Sequence, residues 1–94
     1  SDEPAFVQAF KSGVHTELPL IPPAPTLTTW RGQVLEVRTV DRIGALGALI
    51  AVLPPVSWLS VTTPGATMIA QAAFTGPVDR RKVGGDVTRV LGTG

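Results

Sequence analysis

The stretch from Val40 to Leu53, VDRIGALGALIAVL, decides how this chain is read. Immediately before it, Gln33 to Thr39 (QVLEVRT) alternates: Leu35, Val37 and Thr39 share one side, Glu36 and Arg38 the other. That period of two belongs to a half-buried strand. Within the stretch, Leu46, Leu49, Ile50 and Leu53 recur at i, i+3, i+4 and i+7, an apolar stripe that predicts a helix over Gly44 to Leu53. Pro54-Pro55 ends it. The period changes at Asp41-Arg42-Ile43-Gly44, and that corner permits two readings. In the first, Asp41 caps the helix, Arg42 meets solvent or a surface ion pair, and Gly44 relieves a tight bend. In the second, the first-turn N–H groups receive an anion such as an amino-acid carboxylate, with Gly44 removing the Cβ from its path.

Outward from the corner the pattern stays regular. Val56 to Thr62 (VSWLSVT), β-branched and aromatic, reads as a second strand. Thr63-Pro64-Gly65-Ala66 sets Pro and Gly at the centre of a type II turn, and Thr67 to Phe74 hairpins back as a third strand. Gly76-Pro77 opens a last helix with Pro at its first position, striped by Val83, Val87, Val90 and Leu91. Gly84-Gly85 inside it costs roughly 1 kcal/mol per residue relative to Ala, so a kink or fraying is expected. Strand, helix, strand, strand, helix predicts an α+β two-layer sandwich of ferredoxin-like βαββα(β) order. Its helices cover one face of a mainly antiparallel sheet.

The first third differs. Pro4 to Lys11 (PAFVQAFK) suits a short helix with Phe6, Val7 and Phe10 on one edge. In ELPLIPPAPTLTT, four of the chain's nine prolines fall between Pro19 and Pro25, a composition that favours extended backbone. Residues 1–30 therefore read as a lead-in and Pro-rich linker, and 31–94 as the domain. Trp30 is expected to pack the linker onto it. The start, without Met, suggests a piece of a longer protein.

Composition narrows the function. Ninety-four residues supply one small core, and 44% of them are apolar. A net charge of +1 argues against nucleic acid and against an electrostatic membrane anchor. No apolar run reaches the roughly 18–20 residues of a membrane span. The acidic opening Ser1-Asp2-Glu3 is not a secretory signal. With no cysteine there is no disulfide or thiolate site, and cytoplasmic location is the default.

Catalysis is poorly supplied. His15 stands in the linker with no second histidine or any cysteine beside it. Glu36 alternates onto a strand face, Asp86 reads as helix surface, and Asp79 complements the last helix's dipole. No phosphate loop, nucleophile elbow or metal spacing occurs, and no cofactor is expected. Trp58 either lines an intersubunit pocket or fills core or interface. Gln71 reads as an exposed or interface polar residue. Arg80-Arg81-Lys82, poorly placed at a helix start, reads as a solvated face or a contact for an acidic partner domain.

The strand VLEVRTV followed by DRIGALGALIAVL resembles the opening of the ACT domain, a regulatory module whose first strand leads into Asp-Arg-x-Gly-x-Leu. Asp41, Arg42, Gly44 and Leu46 match, and the likeness covers about Val34 to Leu91. LEVRTVDRIGALGAL also resembles the C-terminal ACT domains of bacterial PII-protein uridylyltransferases. The resemblance implies a βαββαβ fold and a non-catalytic domain controlling an upstream catalytic domain of the same chain. It also implies an amino-acid ligand, glutamine in that context, held between paired domains near the corner. The implied contacts are Asp41 with the backbone around Ile43, Gly44 and Ala45; Arg42 and Leu46 complete the candidate stretch, and Trp58 joins the candidates only on its intersubunit-pocket reading.

Three departures stand beside the resemblance. Ile43 replaces a frequent Pro, and Pro54-Pro55 shortens the first helix. No element after Leu91 supplies the last strand, which leaves a sheet edge open unless the N-terminal segment takes it. An open edge invites pairing, so a homodimer is expected. The alternative is an interaction module of this fold that has lost its ligand.

Overall fold

The computed structural model describes residues 3–7 and 24–92. A four-stranded antiparallel sheet is built from β1 (Leu27–Arg31), β2 (Val34–Val40), β3 (Val56–Thr62) and β4 (Thr67–Phe74), in spatial order β1-β2-β4-β3. Helices α1 (Ala45–Val52) and α2 (Arg80–Leu91) pack on it, completing the two-layer ferredoxin-like arrangement. Its outermost strand beside β2 comes from ahead of the βαββα order rather than after it.

Residues Leu27 to Trp30 are therefore strand, not connector. β1 pairs with β2 from Leu27↔Arg38 to Arg31↔Val34 across the two-residue turn Gly32-Gln33. Gly32 has φ +62°, the positive value that the first central position of a type II′ hairpin turn requires. Trp30, which the sequence assigns to packing the linker, lies in this strand and meets the Phe74 ring at 5.9 Å between centroids.

Alternation sorts the sheet's faces. Leu35, Val37, Leu59, Met68, Ala70 and Ala72 point to the helices and join Ala45, Ala48, Leu49, Val83, Val87 and Leu91 in one core. Val7, from the helical turn at residues 5–7, enters the same core, while Phe6 beside it is exposed. The Val56 N–H donates to the Glu3 carboxylate at 3.3 Å, tying that turn to the start of β3. Phe10, His15, Pro19, Pro22 and Pro23 lie outside the described residues.

Local details depart from the sequence pattern for identifiable reasons. A bulge between Val56 and Trp58 shifts the β3 register, so Val56 turns into the core while Trp58 faces out. The β3–β4 turn closes one residue later than Thr63–Ala66: Thr67 N–H donates to the Pro64 carbonyl, with Gly65 at φ +60°. α2 begins at Arg80 behind an Asp79 N-cap, whose carboxylate accepts from Lys82 N–H at 3.2 Å, so Pro77 stands outside the helix. Gly84-Gly85 leaves α2 continuous. The Thr88 hydroxyl lies 3.1 Å from both the Gly84 and Gly85 carbonyls, and Gly84 faces the Thr28 hydroxyl of β1. Among the described residues no helix is long and apolar enough to cross a membrane.

The core assignment sets a contrast in stability. Leu49→Ala, at a fully buried position, is expected to cost about 2–5 kcal/mol in urea denaturation. Leu27→Ala, at 61% exposure on the outer sheet face, is expected to change stability by less than about 0.5 kcal/mol.

Candidate functional site at the strand-to-helix corner

The corner begins where β2 runs out. Asp41 N–H donates to the Ala66 carbonyl at 2.8 Å, pinning the exit of β2 to the β3–β4 hairpin. Gly44, not Asp41, is the N-cap of α1, at φ +89°, ψ −12°. This left-handed conformation favours glycine, so the residue is needed for the backbone bend itself. A Gly44→Val change would accordingly strain the corner as well as crowd it.

Among the described residues no side chain caps α1. Ala45 N–H turns back to the Arg42 carbonyl at 3.2 Å, and the other first-turn donors are left to the surroundings. The Asp41 carboxylate is exposed and makes no hydrogen bond or ion pair among the described residues. Ile43 is 98% exposed, whereas Ala45 is buried and Leu46 half-buried. The corner thus presents one free carboxylate beside an uncapped helix start, with an apolar side chain standing in solvent.

Arg42 turns the other way. Its guanidinium donates to the Leu91 carbonyl at 2.8 Å, to the Val40 carbonyl at 3.2 Å and to the Thr39 hydroxyl at 3.4 Å. The Leu91 carbonyl, at the end of α2, also accepts from Ala24 N–H at 3.0 Å. Close by, the Thr26 and Thr39 hydroxyls share a hydrogen bond of 3.0 Å, and Thr26 donates to the Ala24 carbonyl at 3.0 Å. Arg42 is therefore a clamp, joining the corner to the last turn of α2 and to the segment that enters β1. Its Nε is buried without a partner among the described residues, a cost the three charge-assisted bonds must offset. Alternation puts Thr39 on the buried side of β2, whereas its partner Thr26 lies in a stretch whose composition alone reads as linker.

Trp58 does not join the corner within one chain. It pairs with Ala73, which pairs with Val34, six residues from Val40 along β2. At about 3.3 Å per residue the separation is roughly 20 Å. Trp58 stands on the outer face of the sheet at 45% exposure.

That outer face has one well-tied polar cluster. Gln71 donates from Nε2 to Glu36 Oε1 at 3.0 Å, and Arg38 Nε lies 3.0 Å from Oε2, with Arg31 at 4.0 Å. Gln71 is thus an internal partner, not a free interface group. The hydrogen bonds from Gln71 and Arg38, aided by the two guanidinium charges, hold the Glu36 carboxyl below its ordinary value. Among the described residues no group of three or more His, Cys, Asp or Glu could hold a metal ion.

A bifunctional uridylyltransferase/uridylyl-removing enzyme of Corynebacterium glutamicum is 44% identical to this chain over 90 residues, covering 96% of the chain. The chain spans 13% of that enzyme's length. No protein-family model matches the chain, and no solved structure matches it.

Removing the clamp should be felt at the chain's entry. Arg42→Met keeps the apolar stem and loses the bonds to Leu91, Val40 and Thr39; a loss of about 1–3 kcal/mol is expected. Hydrogen exchange at Ala24 should rise more than at β4. The Glu36 cluster gives a pH signature. Its folded-state pKa is depressed, so its stabilisation is present above the ordinary value of 4.5 and is lost as pH falls through the lower folded one. Glu36→Gln should flatten that part of the acid limb in urea titrations, leaving the contribution of Asp86, also held low by Lys82 and Arg89.

Proposed function

We propose that this chain is an ACT-type regulatory domain of a uridylyltransferase-class enzyme, non-catalytic in itself and responsive to an amino acid such as glutamine. One observation carries the reading: 44% identity along nearly the whole chain to a small portion of a uridylyltransferase/uridylyl-removing enzyme. The ferredoxin-like fold and the Asp-Arg-x-Gly-x-Leu corner support it.

The corner's chemistry suits an α-amino acid. The ligand ammonium pairs with the Asp41 carboxylate, and its carboxylate takes the uncapped N–H groups of α1. Gly44 leaves the backbone approachable. Because Arg42 ties the corner to Leu91 and Ala24, a ligand that shifts Asp41 and Gly44 also shifts the attachment of the chain entering β1. Regulation is then linkage: the ligand favours one docking state of the domain against an upstream catalytic domain, or one pairing of two domains. Trp58 from a second copy would enter the ligand site in such a pair.

A second reading, an interaction module without a ligand, is favoured by Ile43, a fully exposed β-branched side chain at the tip of the corner. The two readings separate in one titration. Backbone amide shifts on adding L-glutamine should saturate and cluster at Asp41 to Leu46, and Asp41→Asn should weaken binding by about tenfold or more. An unchanged spectrum with glutamine and the other common amino acids would leave the interaction module.

A further inference from the structure

The sheet has a second feature at the end opposite the corner. A half-open cleft of about 430 Å³ lies between the β1–β2 hairpin, the end of β4 and the start of α2. Trp30, Phe74, Gln33, Thr75, Val78 and Arg80 are among its lining residues. That volume is in the range of small-ligand sites. The rings of Trp30 and Phe74 are inclined at 41°, two aromatic surfaces converging on one cleft.

Arg80 supplies the charge. Its guanidinium lies over the Trp30 ring, 5.1 Å from the centroid, and Nη2 donates to the Gly32 carbonyl. Stacking and one hydrogen bond hold the planar fork in place while leaving most of its five donors free. Among the described residues no Asp or Glu lines the cleft. The helix start adds nothing, since Asp79 already caps it. Arg80 is also part of the basic run that runs against the dipole of α2. Lys82 in that run is paired with Asp86 at 3.0 Å, but Arg80 is turned to the cleft.

We infer that this cleft is a second ligand site, for a flat heteroaromatic ring that carries an anionic group, of the kind a nucleoside monophosphate presents. The ring packs against Trp30 and Phe74, the anion meets Arg80, and the Gln33 amide is available to the ring's polar edge. The site is about 20 Å from the corner along the strands, so it stands or falls independently of amino-acid binding there.

The test uses the whole 94-residue chain carrying Trp58→Phe, which leaves Trp30 as the sole tryptophan. Uridine monophosphate is titrated while the Trp30 emission is followed. Saturable quenching is expected, with uridine and inorganic phosphate each binding more weakly than the nucleotide. Arg80→Gln should weaken binding at least tenfold with the circular dichroism unchanged, and Arg81→Gln should leave it as it was. No saturable response to the nucleotide, an equal response to phosphate alone, or undiminished binding by the Arg80 variant would overturn the assignment.

Discussion

A strand in the middle of a sheet must hydrogen-bond on both sides, and the rest of this fold follows from how β2 meets that demand. β4 takes one side of β2 through seven residue pairs, from Val34↔Ala73 to Val40↔Thr67. Among the described residues the βαββα order that follows Val34 supplies no strand for the other side. Leu27–Arg31 fills it, turning back through Gly32 into an antiparallel pair. With β1 in place, Trp30 and Thr28 reach the helix side of the sheet, where α2 closes over the core.

The same arrangement gives the corner its reach. The segment entering β1 passes beside the end of α2, so Ala24 and Arg42 converge on one carbonyl, that of Leu91. An Arg in a corner motif is naturally assigned to solvent or to a ligand. Here its charge satisfies orphan acceptors at a helix end, where a cation is favoured. Asp41 and Gly44 are left to face outward. The inward clamp and the outward-facing residues are thus neighbours in one motif, and the proposed signal has a physical route from the corner to the chain's entry.

Much of this was legible from residue patterns. The alternation of QVLEVRT, the spacing of Leu49, Ile50 and Leu53, and the stripe of Val83, Val87 and Leu91 each mark a buried face that the structure keeps. Where residue pattern and fold part, longer-range pairing or a local backbone irregularity outweighs short-range composition. Leu27 to Trp30 follow four clustered prolines and look like connector, yet an unpaired strand edge recruits them. Val56 and Trp58 alternate onto one face until the bulge between them inserts an extra residue. Asp41 has the chemistry of a cap but stands too early, because the positive φ of Gly44 makes that residue the boundary of α1. The inward turn of Arg42 depends on Leu91, 49 residues away, which no local spacing encodes.

Residues ahead of the βαββα order complete the sheet, and two truncations test this most directly. One begins at Ala24 and keeps β1; the other begins at Gly32 and lacks it. Urea unfolding and sedimentation are measured on both. The chain from Ala24 should unfold cooperatively as a folded domain, and the chain from Gly32 should lose that transition or self-associate through the bared edge of β2. A Gly32 chain that stays monomeric and unfolds with the same midpoint as the Ala24 chain would contradict the account.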